Sequence, residues 1–130
     1  MTMPGKLSFS MKRRRVLIYK STLRLLGMPS NIRFLLNKEG KRLAVQACEA
    51  IDRDSFEVPD MQADDHFEIS SVNFISVIYR LAKWNTEQNY RMTGVYFKAN
   101  RLVEFALDEA ETISEEQFIL EETVEDQDEV

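Results

Sequence analysis

The middle of this 130-residue chain carries one pattern twice, and the repetition limits the folds that the chain can adopt. Residues 32–50 and residues 92–110 each predict a β-hairpin, because two apolar strands flank a short turn in both segments. A short helical stretch precedes each hairpin, and a short apolar strand precedes each helical stretch. The order β-α-β-β therefore occurs twice. It predicts an α+β domain with an antiparallel sheet and two helices on one face.

The individual elements follow from apolar periodicity and from capping residues. Ser21 is predicted to cap a short helix over residues 22–26, and Ser70 or Ser71 a longer one over residues 72–84. Strands are predicted over residues 15–20, 31–37, 42–50, 55–59, 66–69, 90–98 and 101–107. Residue identity between the two halves is low, so the repetition is either a true duplication or a chance similarity of two helix-hairpin segments.

Composition and patterning predict one domain with flexible ends. Residues 1–11 lack a clear period and are expected to form a flexible lead. Residues 12–113 are expected to form a single α+β domain, with halves at about 12–59 and 66–113. Residues 114–130 are expected to form an acidic, disordered tail.

Charge is divided unevenly along the chain. Residues 1–53 contain 12 basic and 3 acidic residues, whereas residues 54–130 contain 5 basic and 19 acidic ones. The last 23 residues hold 11 acids and no base. Either this acidic segment screens a basic working surface, or it is a solvated extension that keeps the protein soluble. In the first case, deleting residues 115–130 is expected to strengthen nucleic-acid binding at low salt.

The basic first half carries the clearest binding signal. Phosphate contacts are electrostatic and need little fixed geometry, so a stripe of outward-facing cations could bind nucleic acid without a motif. The alternative is a mixed solvated surface, in which these cations pair with acids of the other half. The residues of the stripe are Lys12, Arg13, Arg14, Arg15, Lys20, Arg24, Arg33, Lys41 and Arg42.

No catalytic, metal or cofactor site is predicted. His66 and Cys48, the single residues of their types, are too few for an ordinary zinc site. His66 is expected to be exposed or to cap a helix, and Cys48 to be a buried structural thiol. The glycines form no phosphate-binding loop, and no small-molecule substrate is identified. Because no apolar run approaches the ~20 residues that cross a bilayer, no membrane partner and a cytoplasmic location are expected.

Two segments resemble the repeats of the sliding DNA clamps. NIRFLLNKEGKRLAVQACEA (residues 31–50) is similar to the clamp hairpin, and FEISSVNFI (residues 67–75) looks like the strand that leads into a clamp helix. The resemblance covers roughly residues 13–113 and implies no catalytic residues. It implies that a single domain of this length self-associates to form a ring. Clamp helices line a positively charged hole around DNA, and the analogous positions here are Lys20, Arg24, Arg80 and Lys83.

The sequence therefore predicts a non-enzymatic binding module, clamp-like, that associates with nucleic acid or with DNA-processing proteins through its basic first half. The alternative is a protein–protein adaptor or regulatory subunit. In that case a sheet edge or an apolar face would join copies of the chain into a homo-oligomer.

Overall fold

The two halves of the chain pair with each other, strand against strand, in the computed structural model, which describes residues 3–122. Within these residues, nine strands form one curled sheet: β1 (Gly5–Ser10), β2 (Arg15–Tyr19), β3 (Asn31–Asn37), β4 (Arg42–Ala47), β5 (Phe56–Glu57), β6 (His66–Ile69), β7 (Asn89–Phe97), β8 (Leu102–Ala106) and β9 (Glu111–Ile113). The same residues form three helices, α1 (Lys20–Leu25), α2 (Val72–Ala82) and α3 (Glu115–Glu122), and a 3-10 turn, Leu107–Glu109.

All strand pairs are antiparallel, and the sheet order is β5-β3-β4-β8-β7-β1-β2-β6, with β9 also paired to β7. The first half runs β2-α1-β3-β4-β5 and the second runs β6-α2-β7-β8-β9. Corresponding strands of the two halves hydrogen bond to each other, β2 to β6 and β4 to β8. The predicted α+β class, antiparallel sheet and repeated β-α-β-β order are therefore confirmed, although the sheet dominates and the helices are short.

The main core lies between α2 and one face of the sheet, here called the inner face. Ser71 caps α2 as predicted, because its Oγ accepts a hydrogen bond from the backbone N–H of Phe74 at 3.4 Å. Helical spacing then turns Ile75 and Ile78 into the core. Leu23 and Leu26 follow α1 into the same core, so both predicted helices pack on one face. Among the described residues, no helix is long and apolar enough to cross a membrane.

The predicted flexible lead over residues 1–11 is wrong for most of its length, because β1 lies in the middle of the sheet between β2 and β7. Leu7 and Phe9 are fully buried in the core on the inner face. Ser8 and Ser10 are also fully buried, on the opposite face, here called the outer face. Apolar and polar residues therefore alternate along β1 as in other strands. Both faces of this strand are buried, the outer one at two serines, which do not indicate burial in a sequence.

The predicted disordered tail over residues 114–130 is also wrong in part, because α3 occupies its first eight residues after Ser114. Ser114 begins this helix as a cap: its Oγ accepts a hydrogen bond from the backbone N–H of Gln117 at 3.0 Å. Phe118 is fully buried against Leu17 and Ile113, in a second core on the outer face. Residues 123–130 lie outside the described part of the chain.

The start of α1 differs from the prediction. The helix begins at Lys20, directly after Tyr19, and no side chain caps it, so Ser21 is a helical residue and not the cap. This early start places Lys20, Ser21 and Arg24 on the side of α1 that faces away from the core residue Leu23. Helix α1 therefore presents these three polar side chains beside the outer face of the sheet.

Candidate functional site

Fewer than half of the predicted nucleic-acid-binding residues are paired with an acid in the part of the chain that the structure describes. Among the described residues, four of the predicted cations form ion pairs with acids of the second half. These pairs join Lys12 Nζ to Glu87 Oε1 (3.9 Å), Arg13 Nε to Glu115 Oε1 (2.7 Å), Arg15 Nε to Glu68 Oε2 (3.1 Å) and Arg42 Nη1 to Glu104 Oε1 (3.5 Å). The charge asymmetry of the sequence is therefore neutralised in part within the fold, as the mixed-surface alternative predicts.

The other predicted cations lie on separate elements. They are Arg14 in the β1–β2 turn, Arg33 on β3, Lys41 in the β3–β4 turn, Arg80 and Lys83 at the C-terminal end of α2, and Lys20 and Arg24 on α1. Of this group, Lys20 and Arg24 line a common cavity. The structure therefore brings together two of the predicted site residues and distributes the rest over the surface.

This cavity, here called the α1–α3 cleft, has a volume of about 610 Å³ and lies between α1, α3 and the outer face of the sheet. Its floor is formed by Lys6, Tyr19, His66 and Thr93, and its apolar walls include Met3, Pro4 and Leu120. Small-molecule sites in proteins typically have volumes of about 300–1,000 Å³. The cleft is therefore large enough for a small ligand.

Strand register sets the floor of the cleft as one row of side chains. Lys6 is opposite Thr93, and Tyr19 is opposite His66. The ammonium group of Lys6 lies 4.2 Å from the centroid of the Tyr19 ring, within cation–π distance. The ring centroids of Tyr19 and His66 are 5.9 Å apart. The Tyr19 hydroxyl shares a 3.0 Å hydrogen bond with Ser8 Oγ, so the ring between Lys6 and His66 is fixed at its far end.

His66 is buried, which corrects the expectation of an exposed or capping histidine: the residue is 5% exposed. Its position on β6, paired with the buried Tyr19, accounts for the difference. Within the described residues, Nδ1 of the ring is buried without a hydrogen-bond partner. Nε2 lies 4.0 Å from Glu68 Oε1, which is beyond hydrogen-bond length. A buried polar atom without a partner is costly, and such atoms are uncommon in folded proteins.

The cleft is electropositive. Lys6, Lys20 and Arg24 line it together with one carboxylate, that of Asp65. The Lys20 ammonium donates hydrogen bonds to the carbonyl oxygens of Met61 (2.7 Å) and Gln62 (3.3 Å), which hold it in place. Lys6 and Arg24 form no ion pair with any residue that the structure describes. These two cations remain available to an anion.

Helix α3 supplies one wall of the cleft, and Glu115 fastens its first turn to the sheet. Oε1 of Glu115 accepts a hydrogen bond from Arg13 Nε at 2.7 Å, and Oε2 accepts one from Asn89 Nδ2 at 3.2 Å. The hydrogen bond from Arg13 holds the pKa of Glu115 below its ordinary value of 4.5, against an opposing effect of partial burial. The ionised carboxylate is therefore the form that stabilises this attachment.

We expect Glu115→Gln to lower the free energy of unfolding at pH 7 by less than about 1 kcal/mol, since both partners are partly exposed. A depressed pKa stabilises the fold above the unfolded-state pKa, and this contribution is lost as pH falls through the folded-state pKa. The difference in the free energy of unfolding between the variant and the unsubstituted protein should therefore vanish in acid. Urea unfolding at pH 7 and at the lowest pH that preserves the fold checks this. A difference that persists unchanged in acid would contradict it.

Cys48 and the possible metal ligands are the other groups of chemical interest. Cys48 is only partly buried, which differs from the predicted buried thiol, and this partial burial, followed by the Asp52 carboxylate, raises the pKa of its thiol. The reactive thiolate is consequently scarce at neutral pH. Within residues 3–122, no group of three or more His, Cys, Asp or Glu side chains is placed to hold a metal ion.

Sequence reasoning missed most of the cleft. Lys6 was assigned to the flexible lead, and His66 to the surface. The alternation from Lys6 to Ser10 was the available signal, because it puts Lys6 on the same face as the two serines and opposite Leu7. No local pattern connects β1, β6 and α3, which meet only through the sheet order.

No family model matches the chain, and neither curated proteins nor solved structures give a match. The resemblance to sliding clamps therefore stays a prediction from the sequence.

Proposed function

We propose that this protein is a non-enzymatic binding module that holds an anionic partner in the α1–α3 cleft. The observation that carries the proposal is which cations already have an ion-pair partner and which have none. Lys12, Arg13 and Arg15 are paired with acids, whereas Lys6 and Arg24 line a cavity without an ion-pair partner among the described residues. Cations in a partly enclosed site attract anions more strongly than cations on an open surface do.

The expected result is that Arg24→Glu weakens anion binding about tenfold, because the substitution replaces an attraction with a repulsion. The probes are single-stranded DNA, RNA, inorganic phosphate and the fluorescent dye 8-anilinonaphthalene-1-sulfonate, each titrated at low and moderate salt. Arg101→Glu is the matched control, since Arg101 is an exposed cation in the β7–β8 turn that neither lines the cleft nor belongs to the predicted binding residues. If none of the four probes binds, or if both variants behave alike, the proposal is wrong.

Nucleic acid stays the partner that the sequence predicts, and a clamp-like association with DNA belongs to that prediction. Arg14 is the best residue with which to test DNA binding. A substitution at Arg13 or Arg15 would also break the ion pair with Glu115 or Glu68. If DNA binds the basic turn, Arg14→Ala should reduce the affinity and its salt dependence, with little effect on stability. Binding that depends on Arg24 and not on Arg14 would place the anion in the cleft.

Self-association is a second candidate function, and the outer face of β3, β4, β7 and β8 favours it. On these strands Val95, Phe97 and Leu35 are 64%, 45% and 38% exposed, and none of them belongs to either core. Exposed apolar groups on one sheet face are typical of protein interfaces. Arg33, Arg42 and Glu104 also project from this face, so both charge signs are present for a second copy of the chain.

We expect the unsubstituted protein to dimerise at high concentration and Val95→Lys to shift the equilibrium to monomer, since the substitution places a charge in the apolar patch. Ile51→Lys is the matched control, because Ile51 is 94% exposed in a loop away from the sheet. Light scattering over a concentration series measures the result. A monomer at every concentration, or an equal response to both substitutions, would count against this interface.

A further inference from the structure

We infer that the ligand of the α1–α3 cleft is a small amphipathic carboxylate, with an apolar body against the walls and its carboxylate on the part of the floor that Lys6, Tyr19 and His66 form. The inference rests on the proposed function, because it names the ligand class of the same cleft. Three features of the cleft carry it, namely its walls, the unpartnered nitrogen of His66 and the positions of the cations.

The walls favour a ligand with an apolar body. Met3 and Leu120 are 70% and 52% exposed and line the cleft, and Pro4 and the Tyr19 ring continue the apolar surface between them. A ligand that covers these side chains gains the free energy of burying apolar surface. A strongly hydrated anion such as inorganic phosphate would lose water without that gain, which makes it the poorer ligand.

His66 supplies the directional contact. Its Nδ1 is buried without a protein hydrogen-bond partner among the described residues, and the residue lines the cleft. A neutral imidazole nitrogen that carries the proton donates one hydrogen bond, and a carboxylate oxygen is a strong acceptor for it. Nδ1 has almost no accessible surface, so the imidazole ring must turn toward the cleft for a bound carboxylate to satisfy this group.

The cations complete the recognition of the carboxylate. Lys6 is held over the Tyr19 ring, and the His66 ring lies beside Tyr19 on the neighbouring strand, so the two groups flank Tyr19 on the floor of the cleft. Arg24 adds a second available cation on α1. A planar carboxylate has two oxygens, which suits two separate donors better than one.

The test uses the full chain and octanoate, with octanol as the uncharged analogue and inorganic phosphate as the hydrated anion. Because His66 is the single histidine, its imidazole ¹⁵N resonances report on this cleft alone. Octanoate should shift the Nδ1 resonance and saturate at one site. In calorimetry, octanol should bind roughly tenfold more weakly, and Arg24→Glu should weaken octanoate binding by a similar factor, whereas Arg101→Glu should leave it unchanged.

His66→Phe separates the role of His66 from its packing. The phenyl ring has a similar shape and no polar atom, so the urea midpoint should not fall, while octanoate binding should weaken at least tenfold. A variant that is stable and binds octanoate normally overturns the role of His66.

The remaining outcomes separate the inference from the function on which it rests. If phosphate or an oligonucleotide shifts the His66 resonance and octanoate does not, the cleft is an anion site but the ligand class is wrong. If no anion shifts the resonance, the proposed anion-binding function and the inferred carboxylate ligand are both wrong. A carboxylate could also come from the acidic segment that follows Leu120. If octanoate binds more tightly to a chain ending at Glu122, the carboxylate class stands and this segment is a competitor.

Discussion

A chain that lacks residues 1–10 should not fold. The truncation removes β1, which hydrogen bonds along its whole length to β7 and over four residues to β2. Without it, the β2–β6 pair has no backbone connection to the rest of the sheet. Leu7 and Phe9 would also leave two fully buried gaps in the core.

The truncation may be compared with Phe9→Ala, which removes one buried aromatic side chain and keeps the strand. Such a change costs about 3–5 kcal/mol, a large part of the about 5–15 kcal/mol by which small domains are stable. Met3→Ala is the control, since Met3 is 70% exposed and should leave stability nearly unchanged. Circular dichroism and urea unfolding measure all three proteins. Cooperative unfolding of the truncated chain would show that β1 is dispensable.

Gly94→Ala should destabilise the protein by about 3 kcal/mol or more, near the upper end of the cost of overpacking. A Cβ at this position would lie 2.6 Å from Phe105 Cε2 and 2.7 Å from Val103 Cγ1. Gly5, the strand partner of Gly94, has the same problem, because its Cβ would lie 2.8 Å from Val103 Cγ1. Gly5 and Gly94 therefore leave the space that the buried side chains of Val103 and Phe105 on β8 occupy. At Gly94, β7 pairs with β1 on one side and with β8 on the other.

Gly40→Ala is the matched control for this prediction. Its Cβ would meet the side-chain amide of Asn37 at 3.1 Å, in the exposed β3–β4 turn where the amide can move. We expect a change below about 1 kcal/mol for that variant. Equal urea midpoints for the two variants would mean that the core beside Gly94 can relax, and the packing argument would then be wrong.

Local patterns were sufficient to predict the elements that carry their own signal. The strand over residues 31–37 is observed with the predicted limits, because a segment rich in apolar residues ends at the turn that contains Gly40. The long helix was also predicted, since Ser71 and the stripe of Ile75 and Ile78 specify its start and its buried face. Each of these signals lies within about a dozen residues of sequence.

Elements that depend on distant partners could not be predicted in the same way. Ser8 and Ser10 have weak strand preference, and β1 is stable because β2 and β7 enclose it. Helix α3 has an acidic sequence typical of disorder, but Ser114 caps it and Phe118 anchors it. The cleft brings together four strands and two helices, so its chemistry could not be predicted before the sheet order was known.

The cross-pairing of the halves has a consequence for the order of events during synthesis. β1 and β2 emerge first, yet β1 needs β7 and β2 needs β6, which lie some fifty to eighty residues later in the chain. The β1–β2 and β3–β4 hairpins can form within the first half, but the pairs that join the halves, β1–β7, β2–β6 and β4–β8, can form only after the second half has left the ribosome. A protein with such long-range pairing folds slowly and exposes its strand edges while it waits. Cellular yield should accordingly depend on chaperone supply more than the modest length of the chain suggests.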